Sequence, residues 1–207
     1  MAQLFHVHPE NPQRRLLAQA ADCLRRGGII VYPTDSCYAL GCHIGDQDAM
    51  QRMRAVRRLD DKHHFTLLCR DLSEIATYAK VENSAYRLLK ALTPGPYTFI
   101  LRASREVPRR LQNPKRKTIG IRVPAHKIAQ ELLAELGEPF LTTSLVLPGA
   151  ELAMTDPEEI RDALNHAVDL VIDGGACGVE ETSVVDLSEE VPELVRRGKG
   201  DVTMFEE

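Results

Sequence analysis

A chain of 207 residues with 43% hydrophobic side chains can bury one full core. No tract approaches the ~18 consecutive apolar residues of a membrane span, and no signal-type segment opens the chain, so a cytoplasmic location is expected. The net charge of −4 argues against a generally basic nucleic-acid binder, and five cysteines without C-x-x-C spacing are expected to be reduced thiols, with no structural metal.

Residues 1–13 read as an N-terminal arm and 14–207 as one domain. Arg14 to Arg26 has the spacing of an amphipathic helix, with Leu17, Ala20, Ala21 and Leu24 on one face and Gly27-Gly28 closing it. Ile29 to Tyr32 is a buried-type strand that Pro33 ends at the polar cluster Thr34-Asp35-Ser36. Ligands of open α/β sheets bind at such carboxyl ends; an Asx or Ser/Thr turn is the competing reading. Asp46 is placed to cap a second helix with Ala49, Met50, Met53 and Val56 inward, ending near Leu59. His63 and His64 precede a second strand, Phe65 to Cys69; adjacent histidines seldom converge on one ion, so a loop or phosphate-facing role is expected of them.

Asp71 to Glu74 forms a capping box, Asn83 is expected to cap a further helix, and Pro94-Gly95-Pro96 turns into an apolar strand reaching Leu101. Between Arg102 and Lys117 seven basic residues stand against one acid, Glu106, which points to an anionic partner at one face. A solvated loop is the alternative, because Pro108 and Pro114 make the segment irregular. Lys117 to Pro124 alternates as a strand in which Thr118, Gly120 and Arg122 share a face. A threonine and an arginine around a glycine gap suit a carboxylate or phosphate; a surface salt bridge is the other reading. A helix over 126–136, a strand over 139–146, a helix from Asp156-Pro157 and strands over 168–173, 182–186 and 194–198 complete the pattern. Helix-separated strands followed by nearly consecutive ones predict an α/β domain with a twisted mixed sheet.

The string Tyr32-Pro33-Thr34-Asp35-x-x-Tyr38-x-Leu40-Gly41 resembles the signature of the YrdC/YciO family, which includes the threonylcarbamoyl-AMP synthases of tRNA modification. Pro94-Gly95-Pro96-x-Thr98, Thr182-Ser183-Val184-Val185-Asp186 and Arg196-x-Gly198 continue the likeness in order, over roughly Ala18 to Gly200. Ser144-Leu145-Val146-Leu147-Pro148-Gly149 stands where the synthases have Ser-Ala-Asn-x-Ser-Gly, a replacement similar to the YciO subgroup. No Lys-x-Arg-Pro string is present, and Arg57, Arg58 and Lys62 supply the nearby cations.

The resemblance implies a single YrdC-like α/β domain whose twisted sheet, mixed or parallel, is flanked by helices around a concave, positively charged groove. It implies substrate contacts from Thr34, Arg122, Ser144 and Thr182, with Arg122 on an amino-acid carboxylate, and nucleotide contacts from Arg58, Lys62, Thr118 and Arg196. The implied reaction joins L-threonine, bicarbonate and ATP, with Mg²⁺ on the ATP, into threonylcarbamoyl-AMP and pyrophosphate. It needs positioning and charge stabilisation but no protein nucleophile, and no catalytic side chain is assigned. The altered motifs imply weak synthesis or a different acyl substrate. The alternative is a non-catalytic protein binding tRNA or double-stranded RNA through Arg105, Arg109, Arg110, Lys115, Arg116 and Lys117. With few aromatics and none in that block, such binding would read backbone or shape.

Overall fold

Ile29, Ile30, Val31 and Tyr32 have no solvent exposure, and they divide by parity: Ile29 and Val31 enter one core cluster, Ile30 and Tyr32 the other. Successive side chains of a strand point to opposite faces, so a continuous apolar run fits a strand covered on both sides. The computed structural model describes residues 1–61 and 63–206. In chain order its elements are β1 (Gln3–His6), α1 (Arg14–Arg25), β2 (Ile30–Tyr32), β3 (Ala39–His43), α2 (Gln47–Arg57) and β4 (Thr66–Leu68). Then come α3 (Leu72–Tyr78), β5 (Ala79–Lys80), α4 (Asn83–Leu92), β6 (Tyr97–Ala103), β7 (Thr118–Arg122), α5 (Lys127–Leu136) and β8 (Phe140–Ser144). The chain finishes with α6 (Pro157–Leu164), β9 (Leu170–Asp173), β10 (Ser183–Asp186) and β11 (Glu193–Arg196).

The strands form one mixed sheet in the order β1-β9-β2-β3-β8-β4-β7-β6-β10-β11, with β5 beside β6. Pairs β1/β9, β2/β9, β4/β7 and β6/β10 are parallel, and the remaining neighbours are antiparallel. This is a single-domain α/β fold whose sheet is flanked by helices, as the sequence predicts. The N-terminal stretch is extended and carries an edge strand of the sheet, β1. Among the described residues no helix is long and apolar enough to cross a membrane.

Helix ends follow the local chemistry. Asp46, Asp71 and Asp156 accept N–H groups of the first turns of α2, α3 and α6. Asn83 does not cap α4: it is the first helical residue, and Glu82 precedes it without a side-chain cap. α1 buries Leu17, Ala20, Ala21 and Leu24, and packs with α5 over the face that carries Ile30, Tyr32, Leu68 and Phe140. The opposite face is covered by α2, α3, α4 and α6 and takes Phe99, Leu101, Ile119 and Ile121. On β7 this parity turns Thr118, Gly120 and Arg122 toward the α1/α5 side, beyond the cover of those helices.

Candidate functional site

The uncovered part of that face is a cleft of about 240 Å³. Its floor and walls come from β4 (Thr66), β6 (Thr98, Ile100), β7 (Thr118, Gly120, Arg122), β8 (Thr142, Thr143, Ser144) and the β10 segment (Glu181, Thr182, Val184). Arg57, His63, His64, Asn113, Arg116 and Arg196 complete the rim. Seven hydroxyls therefore face one space, with two aliphatic side chains and one carboxylate among them. Gly120 keeps the floor low: a Cβ there would lie 3.1 Å from Thr66 Oγ1 and 3.4 Å from Thr98 Cγ2.

Each arginine is held by the frame. Arg57, at the end of α2, donates to Thr143 Oγ1 (2.7 Å) and to the Val146 carbonyl (3.1 Å). Burial pulls its guanidinium below the usual range, opposed by the charge of Glu181. Arg196 donates to the Thr182 carbonyl (2.9 and 3.1 Å) and to Glu181 Oε2 (3.2 Å), while the Thr182 hydroxyl meets Thr98 Oγ1 at 2.8 Å. Arg116 is clamped by Asp186 Oδ2 (2.7 Å) and Ser188 Oγ (2.8 Å). Burial alone would push the Asp186 carboxyl up, but hydrogen bonds from Ser188 and the Arg116 guanidinium outweigh it and hold it below the carboxylate range.

Arg122 is the most buried of these cations, its side chain 4% exposed. Its Nη2 donates to the Asp35 carboxylate and to Ser36 Oγ (3.0 Å), while its Nε is buried without a hydrogen-bond partner. His63, on the rim, stacks edge-on against Phe65, and burial followed by the Arg57 and Arg54 charges lowers its pKa, so it is neutral at pH 7. The hydroxyls of Thr66 and Thr118 make no hydrogen bond among the described residues, so a ligand meets them unpaired. Such a set of guanidinium forks and hydroxyl donors binds oxyanions, either carboxylate or phosphate.

A family model for Sua5, YciO and YrdC, described as telomere recombination, matches residues 22–198. The chain belongs to this Sua5/YciO/YrdC family. The uncharacterized protein YciO of Escherichia coli K12 is 58% identical over 99% of this chain and 100% of its own. The crystal structure of E. coli YciO superposes with a TM-score of 0.95 over 99% of this chain and 100% of its own. A threonylcarbamoyl-AMP synthase of Chromobacterium violaceum is 37% identical over 71% of this chain and 76% of its own. The crystal structure of P. abyssi Sua5 complexed with L-threonine is 27% identical, with a TM-score of 0.86 over 95% of this chain and 58% of its own.

Of the family-type residues expected from sequence, the fold brings Thr118, Arg122, Ser144, Thr182 and Arg196 together on the cleft. Thr34 is not on its wall. Its hydroxyl closes a buried turn, accepting the Ser36 and Cys37 N–H groups and donating to the Cys37 carbonyl at 2.6 Å, so the turn reading holds there. Arg58 is also away from the cleft: it caps α2 in the left-handed region (φ 50°) with its side chain exposed, and Arg57 takes the inward place. Lys62 lies outside the described residues.

The basic block divides. Arg105, Arg109, Arg116 and Lys117 line a second cleft of about 910 Å³ with Lys80 and Arg102. Arg110 instead donates to the Ile44 carbonyl (3.1 Å), and Lys115 is exposed on the turn closed by Asn113. Arg116 and Asn113 line both clefts. Sequence reasoning missed Thr66, Thr142, Thr143 and Glu181, although three consecutive hydroxyl residues inside the apolar strand β8 were a readable signal.

Proposed function

We propose that this chain is a threonylcarbamoyl-AMP synthase-like enzyme that joins L-threonine, bicarbonate and ATP into threonylcarbamoyl-adenylate and pyrophosphate, for transfer to tRNA adenosine. The observation that carries the reading is Arg122: a guanidinium whose Nη1 has no hydrogen-bond partner among the described residues, on the wall of a cleft rich in hydroxyls and three further arginines. Family membership, the likeness to a named synthase and the L-threonine complex of a related fold support it.

In this reading Arg122 takes the threonine carboxylate, with Ser144 and the Thr98–Thr182 hydroxyl pair beside the amino acid. The amine and bicarbonate combine into a carbamate with loss of water. A carbamate oxygen then attacks the α-phosphorus and pyrophosphate leaves. Arg57, Arg116 and Arg196 line the cleft where phosphate charge would be spread, with Thr118 toward the nucleotide, and Mg²⁺ is proposed to arrive on the ATP. Val146 offers only its carbonyl, already taken by Arg57, where synthases have an asparagine amide. Synthesis is therefore proposed to be weak, or directed to an altered acyl substrate.

The test is incubation with Mg-ATP and labelled bicarbonate, with and without L-threonine, following pyrophosphate and the labelled adenylate. Threonine-dependent formation of both, lost in Arg122→Ala, is the expected result; no turnover at high enzyme concentration overturns the proposal. The second cleft favours one further reading, a protein that binds tRNA or double-stranded RNA. Lys80, Arg105, Arg109 and Lys117 line it and make no side-chain ion pair among the described residues. Binding that falls steeply with salt, and is lost on charge reversal at Arg105 and Arg109, would support it.

A further inference from the structure

The contacts of Arg122 are one-sided. Its Nη2 is committed to Asp35 and Ser36, whereas neither Nε nor Nη1 has a hydrogen-bond partner among the described residues. Nε is closed off from solvent, whereas Nη1 is not fully buried, so Nη1 is the donor where a ligand oxygen from the cleft gains most, with Nε beside it reporting the contact.

What aims them is Asp35. One carboxylate oxygen of Asp35 takes Arg122 and the other accepts the Ala125 N–H at 3.0 Å, while its backbone carbonyl accepts Lys199 Nζ at 2.5 Å. The turn after β2, the approach to α5 and the C-terminal loop are thereby tied at one residue. The Asp35 and Arg122 side chains are 10% and 4% exposed, so little water competes for their contact. Asp35 is not among the residues lining the cleft.

We propose that Asp35 is a positioning residue for anion recognition: it holds one side of the Arg122 guanidinium so that the remaining donors meet a carboxylate-bearing ligand in the cleft. The identity of that ligand as L-threonine rests on the proposed function; the geometry applies to any small oxyanion. A planar five-donor fork can hold an internal carboxylate on one nitrogen while the others keep a fixed direction toward an external one, a geometry that the freely rotating point charge of a lysine does not impose. The motif around Thr34 thus acts through its neighbour: Thr34 shapes the turn, and Asp35 reaches the arginine.

The test uses the full chain labelled with ¹⁵N-arginine, following the Arg122 Nε–H resonance assigned by its loss in Arg122→Lys. L-threonine and inorganic phosphate are titrated separately. A saturable shift in the wild type is expected, with apparent affinity falling about tenfold or more in Asp35→Asn, while the ATP-induced shifts at the Arg57 and Arg196 Nε–H groups persist. Unchanged affinity in Asp35→Asn, equal losses at all three arginines, or no shift of Arg122 with either ligand overturns the proposal. If Asp35→Asn does not fold, Asp35→Glu keeps the charge and moves the carboxylate by one methylene; the same loss is expected, and unchanged affinity again overturns it. Absence of adenylate synthesis by the wild type would sink the proposed function, yet the Nε–H titration would still decide this inference.

Discussion

One face of the sheet carries two different chemistries. Under α1 and α5 it shows Ile30, Tyr32, Leu68 and Phe140, all without exposure; in the cleft it shows Thr66, Thr98, Thr118 and Thr142. The change happens within two residues of single strands, from Leu68 to Thr66 on β4 and from Phe140 to Thr142 on β8. At the border Tyr32 belongs to the apolar core yet sends its hydroxyl to Thr142 Oγ1 at 2.5 Å, and burial raises its pKa far above the usual value. Strand parity chooses the face, and helix cover decides whether that face is apolar. Binding chemistry collects where the helices stop.

The largest effect expected is at the cleft wall. Arg122→Gln leaves Asp35 as a nearly dry, unpaired charge and should cost about 3–5 kcal/mol in urea unfolding. Adding Asp35→Asn should recover part of that loss; strict additivity of the two would show that the ion pair does not couple them. Next comes the covered half, where Leu132→Ala in α5 should cost about 2–5 kcal/mol. Ligand binding per folded molecule should be unchanged, and a change would mean the two halves are not independent. Thr118→Val reverses that pattern: a stability change within about 1 kcal/mol, but nucleotide affinity reduced about three- to tenfold by calorimetry, because its unpaired hydroxyl serves only a ligand.

Much of this division was legible in the sequence, for local reasons. The inward residues of α1, the three aspartate caps and the shared face of Thr118, Gly120 and Arg122 all follow from short-range periodicity. β3 was not legible, because Ala39-Leu40-Gly41-Cys42 is buried on both faces and shows no alternation to mark a strand. The choice of Arg57 over Arg58 depends on where α2 stops. It stops with a left-handed arginine where glycine is the usual signal, so the phase of the last turn was hidden. Thr34 and Asp35 are adjacent polar residues after one strand, and only the partner across space, Arg122 on β7, tells which one reaches it.

The smallest effect expected is in pH dependence, and it separates the two halves by histidine. Burial, then the charges of Arg57, Arg54 and His64, lower the pKa of His63 on the cleft, with Asp60 opposing. Burial also lowers that of His126, before α5, where Asp35 and Glu10 raise it and Arg122 lowers it. Both therefore take up a proton less readily in the folded state than in the unfolded chain. Below the unfolded value of about 6.5 the unfolded chain binds protons at these two positions that the folded chain refuses, so their contribution to stability falls as pH drops from about 7 toward the folded values. Asp186 acts in a lower window: its depressed pKa contributes stability above the ordinary carboxylate range that is lost only as pH falls through the folded value. His126→Asn should remove the α5 share of the first slope. It should also leave stability at pH 7 equal or higher, since His126 occupies the α5 N-cap without a side-chain bond and asparagine supplies an acceptor there. His63→Gln should flatten the remainder and shift the pH dependence of ligand binding as well, because His63 faces the cleft and His126 does not. A His126→Asn variant that moved binding and stability together would show that the Asp35–Arg122 pair transmits protonation from the α5 side into the cleft.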